Sequence, residues 1–457
     1  MRAARAVIRP GRRVSGSTRV PGDKSIAHRW LLLAATATGR SALRGLPPSL
    51  DVRSTGKAVL TLSQRSQVEL QRWIHMKHLS SSGEVEGSLQ SSVGLAVGID
   101  GEGRVGLRQP QDEIDCGNSG TSMRLVAGIA AACPFRSVLT GDAGLSARPM
   151  ERVAEPLRRM GAQVLTTRGR PPVTVLGGSL TGVRYALPVP SAQVKGAILL
   201  AGLAAEGETT VLETAQTRDH TERALEFLGA PVTRDDAGGV TVRAFQHEAF
   251  ASTVPGDLSA AAFLAGAAVL TGGRFVVDGV GLNPTRTGFL DVLRRMGAHV
   301  DDRIAGTEVG EPVGEIDVAG EGGLRGVVVE AAELAGVIDE VPLISLLAVH
   351  AEGESRFEGA AELRVKESDR LHGVAEGIRE LGGEAEVQGD ALVVAGGGLA
   401  GGTTDARQDH RLAMAFAVGA LAARAPCTVT GMEWAEVSFP GFVEALVGLG
   451  ADLEIAS

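Results

Sequence analysis

The chain has 457 residues, 62 of them Gly and only 3% aromatic, and 45 Lys and Arg against 54 Asp and Glu leave a formal charge of −9. That length exceeds one ordinary core and predicts two domains, while the acidic balance argues against a nucleic-acid partner. No apolar run reaches the roughly 18 residues of a membrane span, and three cysteines without a CxxC spacing, Cys116, Cys133 and Cys427, fit a reducing compartment.

The opening MRAARAVIRPGRRV is Arg-rich and lacks the apolar block of a signal peptide, so a cytoplasmic location is expected. PGDKSIAHRWLLLAATATG follows, an apolar helix fronted by Lys24 and Arg29. Residues 60–92 break the pattern: they are rich in Ser and Gln and crowd Trp73, His75, Met76 and His78 together. With no carboxylate or Cys beside it, the His pair is a poor metal site. The stretch reads as an insertion, a diverged loop or a local misreading of the gene.

CGNSGT, Cys116 to Thr121, is a loop of small residues whose backbone amides allow close approach of an anion, and it runs into a helix carrying Arg124. From there a Met-Gly or Leu-Gly pair recurs after helical patterns in LRRMGAQV, LEFLGAPV, LRRMGAHV, IRELGGEA and LVGLGADL. Its glycines are Gly161, Gly229, Gly297, Gly382 and Gly450, with successive differences of 68, 68, 85 and 68. Each predicts a helix ended by a left-handed Gly and followed at once by a strand, so small α/β modules repeat along the chain. A sixth copy is expected before Gly161, where residues 60–92 show no such mark.

RVKESDR, Arg364 to Arg370, places Lys366, Glu367 and Arg370 at the start of a helix ending at Gly382, and Lys366 and Arg370 would share a face if the helix begins this early. QDHRLAMAFAVGALAA likewise puts His410 and Arg411 at a helix start. A cation there costs about 0.3–1 kcal/mol against the helix dipole. Four helices with the same misplacement, the other two fronted by Lys24 with Arg29 and by Arg124, suggest N-termini and cations converging on an anion site. Two acids belong with them: Glu367, and Asp339 in GVIDEVPLISLL, where an acidic pair interrupts an apolar run. A carboxylate among cations stays ionised and accepts a proton from a hydroxyl. Only five basic residues are lysines, and three lie in motif-like segments: Lys24, Lys195 in PSAQVKGA, and Lys366. A position that keeps Lys against that bias has a use for a compact ammonium.

Together RVKESDR, GNSGTSMR and PGDKSIAHR, with LSARP, PSAQVKGA, TRDHTE and DHRLAM in order, resemble the 5-enolpyruvylshikimate-3-phosphate synthase family over most of the chain except residues 60–92. The resemblance implies an α/β fold of two similar domains, each of three βαβαββ units in an inside-out α/β barrel, with the active site in the interdomain cleft. Its first domain would comprise 1–20 plus 255–457 and its second 21–254. By position, Lys24, Ser25, Arg29, Ser191, Gln193, Arg218, Asp339 and Lys366 would hold shikimate 3-phosphate, with Ala192 where some relatives have a second Ser. Gly120, Arg148, Arg370 and Arg411, sharing Lys24 and Gln193, would hold phosphoenolpyruvate. Asp339, Glu367 and Lys24 would handle protons in an addition and elimination on the shikimate pathway to chorismate and the aromatic amino acids. The resemblance implies a monomer, with no cofactor, no metal and no membrane or nucleic-acid partner. Glu362 stands where some members have Asn, and Val437 in EVSFP where part of the family has Lys. Gly120 is the small residue linked in the family to glyphosate sensitivity.

Two rivals remain. The related enolpyruvyl transferase acting on UDP-N-acetylglucosamine usually carries a Cys in a mobile loop, and GDAGLSARP has none. A non-catalytic anion-binding relative, or a folding-impaired chain, would follow if the sixth module cannot form.

Overall fold

The computed structural model describes residues 4–63, 67–76, 96–236 and 238–456. Two units share them: residues 1–21, 256–306 and 312–457 belong to the first, and residues 22–255 with the hairpin tip 307–311 to the second. Each has its own hydrophobic core. The likeness between them starts at the level of single turns.

All five repeat glycines have a positive φ, between 78° at Gly382 and 110° at Gly161. At each, the Gly N–H donates to the carbonyl three residues back and the next N–H to the carbonyl five back. Gly297 donates to Arg294 at 3.0 Å and Ala298 to Leu293 at 3.0 Å; Gly450 donates to Val447 at 2.9 Å and Ala451 to Leu446 at 3.0 Å. That pair of bonds is the Schellman closure, and it needs a left-handed residue that Gly supplies without steric penalty. The helices it ends are Glu151–Arg159, His220–Phe227, Gly288–Met296, Arg370–Glu380 and Phe442–Gly448, and the strands that follow are Gln163–Thr167, Thr233–Arg234, His299–Glu308, Glu384–Gln388 and Asp452–Ala456.

These helices are amphipathic: Gly288–Met296 buries Phe289, Leu290, Val292, Leu293 and Met296 and leaves Arg294 and Arg295 outside. A second class of helix is apolar all round and must be enclosed. Every residue of Leu258–Leu270 up to Val269 is buried, as is every residue of His410–Ala420. Small residues let these inner helices approach closely. A Cβ on Gly128 would lie 2.4 Å from the Ala197 carbonyl oxygen of the helix Ala192–Gly202.

Five sheets repeat one plan: a strand parallel to its neighbour, then two further strands completing a four-stranded ladder. Ile114–Asp115 lies parallel to Arg136–Thr140, which pairs antiparallel with Arg170–Leu176, which pairs antiparallel with Gln163–Thr167. Val328–Val329, Glu354–Phe357, Ala391–Ala395 and Glu384–Gln388 are joined in the same way. In the first unit, Cys427–Thr430 pairs with Arg5–Arg9, so the N-terminal strand completes the C-terminal module.

The sixth sheet is Ala251–Thr253, Thr38–Arg44 and Val97–Glu102, with no fourth strand among the described residues. Its missing place follows the helix Leu50–Leu62, which ends at Ser63 in extended backbone rather than at a left-handed Gly. Residues 64–66 and 77–95, including Lys77 and His78, lie outside the described residues. The described part, however, is no foreign insertion. Val68–His75 is a helix with Leu70, Trp73 and Ile74 buried. Gln67 Nε2 donates to the Asp100 carbonyl at 2.7 Å while Gln67 Oε1 accepts from Asp100 N–H at 3.0 Å, and Glu69 Oε2 accepts from Gly98 N–H at 2.6 Å. Side chains thus satisfy the backbone groups of an otherwise open strand edge. His75 is exposed, with Nδ1 2.8 Å from the Gln71 carbonyl oxygen.

Candidate active site

In the second unit, three inner helices begin with capped turns. Asp23 accepts from Ile26 N–H ahead of Lys24–Thr36, Ser119 from Ser122 N–H ahead of Gly120–Ala131, and Ser191 from Val194 N–H ahead of Ala192–Gly202. None has an acid in its first turn. The caps offset the cations that the sequence places there.

Lys24 Nζ sits 2.9 Å from Asp51 Oδ2 in the first turn of Leu50–Leu62. Ser25 is half-buried and its carbonyl accepts from Arg29 at 2.7 Å. Arg29 is 2% exposed and reaches inward, with Nε donating to Thr221 Oγ1 at 2.8 Å and another nitrogen to the Ala192 carbonyl at 3.4 Å. Burial pushes its guanidinium down to about 10 against the pull of Glu222 and Asp23.

Gly120 lies between two guanidinium groups: a Cβ there would be 2.8 Å from an Arg124 terminal nitrogen and 3.2 Å from one of Arg148. Arg124 donates to Gln193 Oε1 and to the Pro149 carbonyl, Gln193 Nε2 donates to Thr121 Oγ1 at 2.7 Å, and Arg148 donates to Asn118 Oδ1 at 2.6 Å. Arg218 is half-buried in the segment before His220–Phe227. Gly120, Arg148, Gln193 and Thr121 thus gather around Arg124, which the sequence marked as a first-turn cation without assigning it a ligand.

In the first unit, Arg370 is the hub. It is 1% exposed, with Nε 2.8 Å from Asp409 Oδ2 and terminal nitrogens 3.2 Å from Asp409 Oδ1, 3.4 Å from Asp339 Oδ1 and hydrogen-bonded to Glu367 Oε2. Burial would push it down, but Asp409, Glu367 and Asp339 outweigh that, and its pKa stands above the ordinary value. Arg411 donates to the Asp339 carbonyl at 2.8 Å and lies 3.6 Å from Asp339 Oδ2 and 3.5 Å from Glu340 Oε1. Burial holds the Lys366 ammonium below its usual range although Asp339, Glu362 and Glu367 pull it up.

The expected common face of Lys366 and Arg370 is not formed. The helix begins at Arg370, capped by Asp369 accepting from His372 N–H, and residues 366–369 are non-helical. Ser368 Oγ instead donates to Asp409 Oδ2 at 3.1 Å. Asp409 is fully buried, caps His410–Ala420 by accepting from Arg411 N–H, and joins both arginines. Nothing in DHRLAM distinguishes it from an ordinary N-cap. Glu340, the second acid of the apolar run, is 2% exposed and accepts from Ser259 Oγ. Lys195, which the sequence marked without assigning it a ligand, is buried against Glu213 and Glu222. Val437 is buried in the turn Met432–Val437, and Cys116, Cys133 and Cys427 are buried free thiols whose pKa burial raises, that of Cys133 to about 12.

The family model for EPSP synthase (3-phosphoshikimate 1-carboxyvinyltransferase) matches residues 8–97 and 75–446. The chain is 44% identical to the 3-phosphoshikimate 1-carboxyvinyltransferase of Halorhodospira halophila over 98% of its length and 96% of that protein. It is 42% identical to that of Acidithiobacillus ferrooxidans over 99% of both. Among solved structures, EPSP synthase from Acinetobacter baumannii superposes with a TM-score of 0.83 at 38% identity, covering 99% of this chain and 100% of that one. The enolpyruvyl transferase NikO from Streptomyces tendae shares the fold, with a TM-score of 0.74 at 20% identity over 99% of both. By sequence along its whole length and by fold, this chain belongs to the EPSP synthase family, the 3-phosphoshikimate 1-carboxyvinyltransferases.

Proposed function

We propose that the chain transfers the enolpyruvyl group of phosphoenolpyruvate to the 5-hydroxyl of shikimate 3-phosphate with release of phosphate, on the pathway to chorismate and the aromatic amino acids. The observation that carries this reading is the full-length identity with relatives named for that reaction. We assign the domains as 1–20 with 255–457 and 21–254, and the protein as a cytoplasmic monomer. Among the described residues no helix is long and apolar enough to cross a membrane.

Lys24, Ser25, Arg29, Ser191, Ala192, Gln193, Arg218, Asp339 and Lys366 are assigned to shikimate 3-phosphate. Gly120, Arg148, Arg370 and Arg411, with Lys24 and Gln193 shared, are assigned to phosphoenolpyruvate. In the addition step, the 5-hydroxyl oxygen bonds to C2, its proton passes to Asp339, and C3 receives a proton from Lys24 or Glu367. In the elimination step the C2–phosphate bond breaks and C3 loses a proton, which regenerates the double bond. Asp339 suits the base role because it lies between Arg370 and Arg411, both within 3.6 Å. Gly120 suits a phosphate or carboxylate because the space a Cβ would fill is edged by Arg124 and Arg148.

The test is phosphate release from phosphoenolpyruvate with shikimate 3-phosphate, run in parallel with UDP-N-acetylglucosamine. Release with shikimate 3-phosphate alone is expected. Release with the sugar nucleotide would move the chain to the related transferase, and silence with both from folded protein would make it a binding protein.

A further inference from the structure

Lys195 stood out in the sequence, yet it takes no part in the assigned site. Its ammonium is 1% exposed and lies 2.6 Å from Glu213 and 2.6 Å from Glu222. Glu222 Oε2 is buried without a hydrogen-bond partner. Resting on the function proposed above, we propose that Lys195, Glu213 and Glu222 form a positioning centre that sets the geometry of Arg29, Ser191 and Arg218, residues assigned to shikimate 3-phosphate alone.

The three groups come from three elements, and each holds a different part of that set. Lys195 lies in the first turn of Ala192–Gly202, where its N–H donates to the Ser191 carbonyl at 2.9 Å, two residues beyond Gln193. Glu213 directly follows the strand Glu208–Leu212 and accepts from Thr217 Oγ1, next to Arg218. Glu222 lies in the first turn of His220–Phe227 beside Thr221, whose Oγ1 takes the Arg29 Nε bond. Arg29 then returns to the Ser25 and Ala192 carbonyls, which closes the circuit.

Gly196 leaves the room this circuit needs. A Cβ there would lie 2.8 Å from Thr221 Oγ1 and 3.7 Å from an Arg29 nitrogen. The buried Arg29 guanidinium also stands next to the cluster, bonded to Thr221 beside Glu222. Burial pushes the Glu222 carboxyl up while Lys195 pulls it down, and the Glu222 charge supports Arg29 in turn. A compact ammonium meets both carboxylates at 2.6 Å, a use that suits the lysine kept here in an arginine-rich chain.

The test uses the full chain with two substitutions chosen to keep shape. Glu222→Gln removes the charge, and Thr221→Val removes the acceptor of Arg29 without changing any charge. Shikimate 3-phosphate binding is measured by calorimetry, and KM for each substrate by phosphate release, in variants with the parent circular dichroism. The Kd and KM for shikimate 3-phosphate are expected to rise about tenfold while KM for phosphoenolpyruvate stays within about twofold. Equal rises for both substrates, or an unchanged shikimate 3-phosphate Kd, would reduce the triad to a support of the fold. Thr221→Val carries the test if Glu222→Gln does not fold. If the parent binds shikimate 3-phosphate but never turns over, the proposed function fails while the Kd ratio still decides the positioning role. A parent that does not bind it overturns both.

Discussion

Arg124 and Arg148 in the second unit donate to neutral oxygens, those of Gln193, Pro149 and Asn118, whereas Arg370 and Arg411 in the first are held among the carboxylates of Asp409, Glu367, Asp339 and Glu340. The two sets use the same side chain differently. Amide and carbonyl oxygens orient a guanidinium without bringing a charge of their own. One held among carboxylates also fixes where those carboxylates stand. On the assignment proposed above, Arg370 and Arg411 meet phosphoenolpyruvate from within a carboxylate cluster, whereas Arg148 meets it from beside the uncharged Asn118.

The largest effect that would sharpen the contrast is expected from Arg370→Met. It leaves the fully buried Asp409, and with it Glu367 and Asp339, without a shared cation. Breaking a buried pair on one side costs about 3–5 kcal/mol. Urea unfolding should register that loss, together with the disappearance of phosphate release. A variant as stable as the parent would mean that Arg370 does not hold the carboxylate cluster together, and the contrast between the units would collapse.

The next effect should be confined to binding. Gly120→Ala places a methyl 2.8 Å from Arg124 and 3.2 Å from Arg148, at the ends of side chains that can swing away. Stability should change by less than about 1 kcal/mol, while KM for phosphoenolpyruvate rises about tenfold because both cations lose their alignment. Thermal melting against steady-state kinetics separates the two outcomes. A large fall in melting temperature would show these arginines to be as structural as Arg370.

How much of this was legible follows from the range of each interaction. The five Schellman turns were readable because the four residues before the Gly and the one after it contain the whole motif. The sixth module was not, because its open strand edge is closed by Gln67 and Glu69 from a helix whose sequence carries no repeat mark. Cations near helix starts could be seen at Lys24, Arg124, Arg370 and Arg411, but their partners could not. Asp51 is 27 residues from Lys24, and Asp409 is 39 residues from Arg370. The bias toward arginine marked Lys195 as a place for a compact ammonium, but its partners Glu213 and Glu222 could not be read, because they come from other elements packed against it. The start of the helix at Arg370 turned on Asp369 taking the cap, a choice that RVKESDR leaves open between Ser368 and Asp369.

The smallest effect concerns pH and bears on the first unit alone. Burial lowers the Lys366 pKa below the ordinary lysine value of 10.5, with Asp339, Glu362 and Glu367 opposing and Arg370 reinforcing the shift. The sign for stability is fixed by linkage. Between the folded pKa and 10.5 the unfolded chain binds more protons, so this group makes folding more favourable as pH rises through that window. Binding has the opposite sign, because a neutral amine cannot hold an anionic substrate. The affinity for shikimate 3-phosphate should therefore show an alkaline limb below pH 10.5, and Lys366→Arg should move that limb upward because a guanidinium stays protonated. Calorimetric titration of shikimate 3-phosphate across the alkaline range, with Arg29, itself lowered to about 10, retained in both proteins, tests it. An unmoved limb would assign the titration to Arg29 and the second unit. A displaced limb would place it on Lys366, among the carboxylates that set the first unit's chemistry apart.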